Sequence, residues 1–251
     1  MSNMVRLRAW LAMGLLLTGV SCADVEPLPP PPEPAPRVPV QTCFAPEGMG
    51  NPQTIEDAVR LINALEPPVT VPCFLESLDR PIVVEASKSI QSAQPAFGPN
   101  NPRFLIHRGE LVISAVPKGD GRPIVEFSVE VPTGSGESVK GEVVFPVTEE
   151  LPLDAAYTQI QSELGGTKCV HCHIGEEATD LTEADGAFVS FRLDTLRRNR
   201  VEPEYIDWFY GECDPDKEPD RCAVLDSILG FGEVVHIPIA DSPTSQPGQE
   251  F

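Results

Sequence analysis

Cys169-Val170-His171-Cys172-His173 constrains this chain more than any other stretch. Cys-x-x-Cys-His is the attachment signature of a c-type haem. Two thiols three residues apart reach the two vinyl groups of one porphyrin. The histidine directly after the second cysteine is then held under the iron, where an imidazole nitrogen ligates it. The lead-in agrees: Asp154 to Leu164 reads as a short helix, and Gly165-Gly166 supplies the glycine stop that helices favour. Two other readings compete for the same residues. One is a plain disulfide between Cys169 and Cys172, as in redox Cys-x-x-Cys pairs. The other is a zinc site of Cys169, Cys172 and either His171 or His173, which lacks a second Cys/His pair at the usual spacing.

On this motif residues 151–251 resemble a small cytochrome c domain. Residues 43–251 as a whole resemble a family of bacterial lipoproteins that share several stretches: Cys-Phe-Leu-Glu-Ser-Leu at 73–78, Ser-Ala-Gln-Pro at 92–95, the haem motif, and the Cys213-Asp214…Arg221-Cys222 pair. The resemblance implies an architecture and an exported compartment. It carries no physiological role with it.

The cysteines support that compartment. Seven are many for a cytosolic chain, and an odd number needs explaining. One partition uses them all: Cys22 takes lipid, Cys43 pairs with Cys73, Cys169 and Cys172 take one covalent haem c, and Cys213 pairs with Cys222. Sequence alone does not fix this connectivity. Residues 1–21 read as a signal peptide, with Arg6 and Arg8 ahead of an apolar run from Ala9 to Gly19 that is short for a membrane span. Gly19-Val20-Ser21-Cys22 resembles a lipobox, with Gly where Leu is usual. Lipidation at Cys22 would anchor the chain to a membrane, on the periplasmic face or at the cell surface. Residues 22–41 then form the lipidated cysteine and a proline-rich tether. In polyproline II at about 3.1 Å per residue it reaches on the order of 50 Å.

Thirty-eight acidic against 18 basic residues give a net charge of −20. Phosphate repulsion excludes non-specific nucleic-acid binding. Acidity serves solubility and suits a basic redox partner.

The chain is expected to be α+β with two domains. Residues 42–150 read as a β-sandwich or jelly roll with one helix, capped by Thr54 and Asp57, striped by Ile55, Val59 and Ile62, and ended by Pro67-Pro68. Strands are expected at Ile82–Ala86, Phe104–His107, Leu111–Val116, Ile124–Val131 and Val139–Phe145, with Gly-rich turns at 118–121 and 133–136. Such a domain suits binding of a glycan or protein, by analogy of fold alone. His107 sits near a strand end and reads as structural or exposed.

Residues 151–240 are expected to form a mostly helical, cytochrome c-like haem domain, followed by a polar tail at 241–251. Phe188 to Arg200 ends in a basic cluster. Arg192, Arg197, Arg198 and Arg200 are candidates to hold a haem propionate, against a simpler reading as surface ion pairs. Pro203 opens a helix through Tyr205, Ile206, Trp208, Phe209 and Tyr210 to Gly211. The loop from Cys213 to Cys222 mimics a calcium site through Asp214, Asp216, Glu218 and Asp220. Its two prolines and missing EF-hand glycine disfavour calcium. Asp220 is expected to cap a helix over Arg221–Leu229, and Val234–Ile239 is an extended piece.

The cytochrome resemblance implies a methionine ligand well after the motif, but the chain has no methionine beyond Met49. His236 is the candidate distal iron ligand, and an open sixth position is the alternative. Three functions follow: an electron-transfer lipoprotein, a haem sensor or weak peroxidase, and a non-haem surface lipoprotein. No hydrolytic triad, phosphate loop or paired-carboxylate arrangement stands out, so no hydrolase is expected; of the three functions the electron carrier is favoured, and whether the chain is an enzyme stays open.

Overall fold

In the computed structural model, residues 38–92, 94–132, 136–192 and 197–237 are described. The leader, Cys22, most of the tether and the tail lie outside them. Helix α1 (Ile55–Ala64) begins as its sequence dictates. Thr54 Oγ1 accepts from the Asp57 N–H at 3.1 Å, and the Asp57 carboxylate accepts from the Thr54 N–H at 3.3 Å. Ile55, Val59 and Ile62 are buried on one stripe. Helix α2 (Val71–Glu76) is capped by Thr70 and carries Pro72 in its first turn, where a missing N–H costs nothing. The Cys43–Cys73 disulfide ties it to the incoming chain, and the Glu76 carboxylate binds the N–H and hydroxyl of Thr42.

Strands β1 (Ile82–Ser87), β2 (Arg103–Arg108), β3 (Leu111–Ala115), β4 (Ile124–Glu130) and β5 (Glu137–Val144) form an antiparallel meander. Next come α3 (Ala155–Thr158), β6 (Glu177–Ala178), β7 (Phe188–Phe191), α4 (Pro203–Gly211), α5 (Pro219–Leu229) and β8 (Val234–His236). Among the described residues all eight strands join one mixed sheet in the order β6-β7-β5-β4-β3-β2-β1-β8, with β8 parallel to β1.

One face of the sheet carries Val84, Ile106, Ile113, Phe127 and Val143, all buried against the helices. Phe74 of α2 meets Phe127 edge-on at 6.0 Å and stacks on Phe145 at 5.9 Å. Gly141 lets α1 and α3 close on β5, since a Cβ there would lie 3.0 Å from Ala156 Cβ and 3.3 Å from Ile55 Cγ2. Phe209 of α4 packs on Phe104 of β2, and the Cys213–Cys222 disulfide joins the end of α4 to α5.

Alternation along the strands sends Glu85, Arg103, His107, Ser114, Glu126, Lys140, Glu142 and Ser190 to the other face. This corrects the sandwich expectation. A second sheet needs an apolar face to bury, and this face is polar. Strands β6, β7 and β8, all from beyond residue 150, join the sheet that β1 to β5 begin. Of the expected helical second domain, α4 and α5 form. Phe188–Phe191 is a strand, and α3 ends at Thr158 because Ile160 and Gln161 pair back with Lys168 and Thr167. Asp220 falls in the first turn of α5 rather than at its cap. No described helix is long and apolar enough to cross a membrane.

Candidate haem-attachment site

The motif sits on the polar face of the sheet, presented by a small hairpin. Gly165 and Gly166 take φ of 90° and 68°, which turns the chain so that Lys168 N–H donates to Ile160 O at 2.8 Å. Lys168–His171 is then a single 3-10 turn, started by Thr167, whose hydroxyl accepts from Cys169 N–H at 3.1 Å. Cys169 lies within this turn and Cys172 caps its end. Cys169 O accepts from both Cys172 N–H (3.0 Å) and His173 N–H (2.8 Å), closing the turn. The Glu176 carboxylate reaches back to the Thr167 N–H (2.7 Å) and hydroxyl, clamping the two ends of the loop together. The His171 ring is exposed and bonds Lys168 O at 2.9 Å through Nδ1.

His173 is oriented by strand β7. Its Nδ1 lies 2.8 Å from the carbonyl oxygen of Phe191, an acceptor, so Nδ1 carries the proton and Nε2 keeps its lone pair. Burial pushes the imidazole down to about 4, with the charges of Lys140 and Arg103 acting the same way and the Phe191 bond opposing them. The ring is therefore neutral near pH 7, as a metal ligand must be.

Beneath the motif, the Lys140 ammonium lies within 3.2 Å of the carbonyls and hydroxyls of both Ser138 and Ser190, stitching β5 to β7. Burial lowers its pKa to about 8. Lys168 pairs with Glu142 at 3.1 Å and Arg103 with Glu126 at 3.3 Å. Burial also raises the Cys169 thiol, only partly offset by the Thr167 hydroxyl and Lys140. A redox-active Cys-x-x-Cys does the reverse and lowers its attacking thiol.

These features bear on what the site can hold. Cys169 and Cys172 are free thiols, while the other four described cysteines are paired. Among the described residues no three His, Cys, Asp or Glu side chains converge to hold a metal ion. A haem iron brings four nitrogens of its own and asks the chain for one imidazole. Two free thiols, one within a turn and one capping it, and an oriented imidazole with an available Nε2 match that request. Val170 and Ile174, 47% and 60% exposed, flank the cysteines and offer apolar surface for a porphyrin to cover.

The other expected residues scatter. His236 lies on β8, with β5, β4, β3, β2 and β1 between it and β7. At roughly 4.8 Å per strand that is on the order of 30 Å, too far to share an iron with His173. Its Nε2 instead faces Asp207 at 3.9 Å. Arg192 follows Phe191 directly, beside the site, and pairs with Glu130. Arg200 is buried with Glu85 at 3.2 Å near β1, Arg198 is exposed, and the Arg197 side chain lies outside the description. Met49 packs against the core with Cys43. Glu176, Lys140 and the serines around it were not singled out from sequence. A lysine in the middle of an alternating strand was the available signal. The chain matches no protein-family model, and no curated protein or solved structure matches it.

Proposed function

We propose that this protein is an exported, lipid-anchored electron carrier with one c-type haem. Cys169 and Cys172 would attach it and His173 would be its axial ligand. The observation that carries the reading is the pairing of two free thiols on one turn with an imidazole whose Nδ1 is held by Phe191. The haem, once bound, supplies one-electron chemistry. Cys169 and Cys172 would hold the group through thioethers and His173 through Nε2, and the nearby positive charges of Lys140 and Arg103 would favour its reduced state. The acidic surface suits a basic redox partner.

A second reading is a haem sensor or weak peroxidase with an open sixth position. The placement of His236 at the opposite sheet edge favours it. One experiment tests both. The chain is expressed with c-type maturation machinery, then denatured for intact mass and examined folded by visible spectroscopy. Haem mass retained by the denatured chain supports the proposal, and its absence removes it. A low-spin spectrum selects the electron carrier, a high-spin one the open site.

A further inference from the structure

On the helix side of the sheet, away from the motif, a cavity of about 130 Å³ opens between β4, β5, α1 and the loop after β6. Val131, Val139 and Leu181 form its apolar walls, and Glu56, Tyr157 and Thr182 its polar ones. Among the described residues no lysine or arginine lines it. Two of its three carboxylates are matched from outside, Glu130 by Arg192 and Glu183 by Arg60.

Glu56 differs. It is 3% exposed, and its Oε1 accepts the main-chain N–H groups of Glu183 (3.0 Å) and Ala184 (3.2 Å). Among the described residues it has no cationic partner. Tyr157 adds an independent observation. It is 1% exposed, lines the same cavity, and its hydroxyl makes no hydrogen bond among the described residues although Glu56 and Thr182 face it. Burial holds the phenol protonated. A buried carboxylate without a counter-charge and a buried hydroxyl without a partner are both costly. One ligand satisfies both if it is a cation with N–H donors.

We propose that this cavity binds a small primary ammonium compound, its head between Glu56 and Tyr157 and its short aliphatic body against Val131, Val139 and Leu181. The ammonium donates to Glu56 and to the Tyr157 oxygen, and the phenol proton turns to the carboxylate. An apolar cavity near 150 Å³ holds benzene, so the space fits about six non-hydrogen atoms.

The test is a titration of the mature full-length chain with n-pentylammonium, followed by protein chemical shifts, with n-pentanoate and 1-pentanol as controls. Saturable binding of the ammonium alone is expected. Tyr157→Phe should weaken it roughly tenfold, as loss of a hydrogen bond to a charged group does. Leu181→Trp should abolish it by filling the mouth while leaving the thermal melt unchanged. A Cys169→Ser/Cys172→Ser chain should bind as the parent does, which separates this site from the haem reading. Failure of the parent to saturate, equal binding of either control, or unchanged affinity in Tyr157→Phe overturns the proposal.

Discussion

The main-chain carbonyl of Phe191 holds His173 by its Nδ1 at 2.8 Å, so a strand fixes the tautomer of the motif histidine. Phe191 N–H in turn donates to Ile174 O at 3.0 Å, locking the strand end and the motif to one another. The imidazole cannot swing without breaking the end of β7.

On the proposed haem chemistry, His173→Ala should abolish the normal axial signature while leaving both thioethers intact. His236→Ala should leave the visible spectrum unchanged, given the strands between the two histidines. Paired spectra of the two variants check this. A shift to high spin in His236→Ala alone would contradict the sheet order.

Acid should destabilise the haem-free chain in a defined window. Burial, with Arg192 adding to it, holds His107 down at about 4, and His173 is likewise lowered to about 4. Above about pH 6.5 both histidines are neutral whether folded or not, and their penalty is absent. Between about 6.5 and 4 the unfolded chain takes protons that the folded chain refuses, so stability falls as pH falls. His107→Leu should flatten that slope by one proton, read from urea midpoints across the window in a Cys169→Ser/Cys172→Ser background.

Gly141→Ala should destabilise the chain by about 1–3 kcal/mol, the usual cost of overpacking a filled interior. The added methyl would press on Ala156 and Ile55, displacing α3 and α1 from β5. A urea melt measures the loss. Ala156→Gly in the same chain should recover part of it, because it removes the nearer contact.

The two disulfides should differ in weight. Cys43–Cys73 spans a sequence separation of 30 and Cys213–Cys222 one of 9. Loop-closure entropy gives about 3.7 and about 2.7 kcal/mol respectively. Cys43→Ser/Cys73→Ser should therefore cost more than Cys213→Ser/Cys222→Ser in matched melts. Equal losses would mean that the shorter bridge gains its effect by packing α4 on α5.

Local chemistry was legible where it acts within a few residues. The Thr54–Asp57 capping box, the Pro203 helix start, the β1 to β5 meander and both disulfides stand where the pattern puts them. The Asp154–Leu164 helix did not survive, because the Lys168 N–H donates to Ile160 O and the Ser162 N–H to Gly166 O, which places Gln161 opposite Thr167 in a hairpin. Phe188–Phe191 carried too few residues to separate a strand from a helix by period, and pairing with β5 decided it.

The sequence by itself determined the chemistry on offer: which thiols flank a histidine, which segments alternate, and which turns can close. Alternation with period two says that a strand has two unlike faces. It does not say which strands lie side by side. Only the tertiary structure put β7 against β5 and β8 against β1, and so brought Phe191 and Lys140 to the motif while carrying His236 to the far edge. Those pairings join residues far apart in the chain, and their free energy comes from burying the whole apolar sheet face at once, a sum no local window contains.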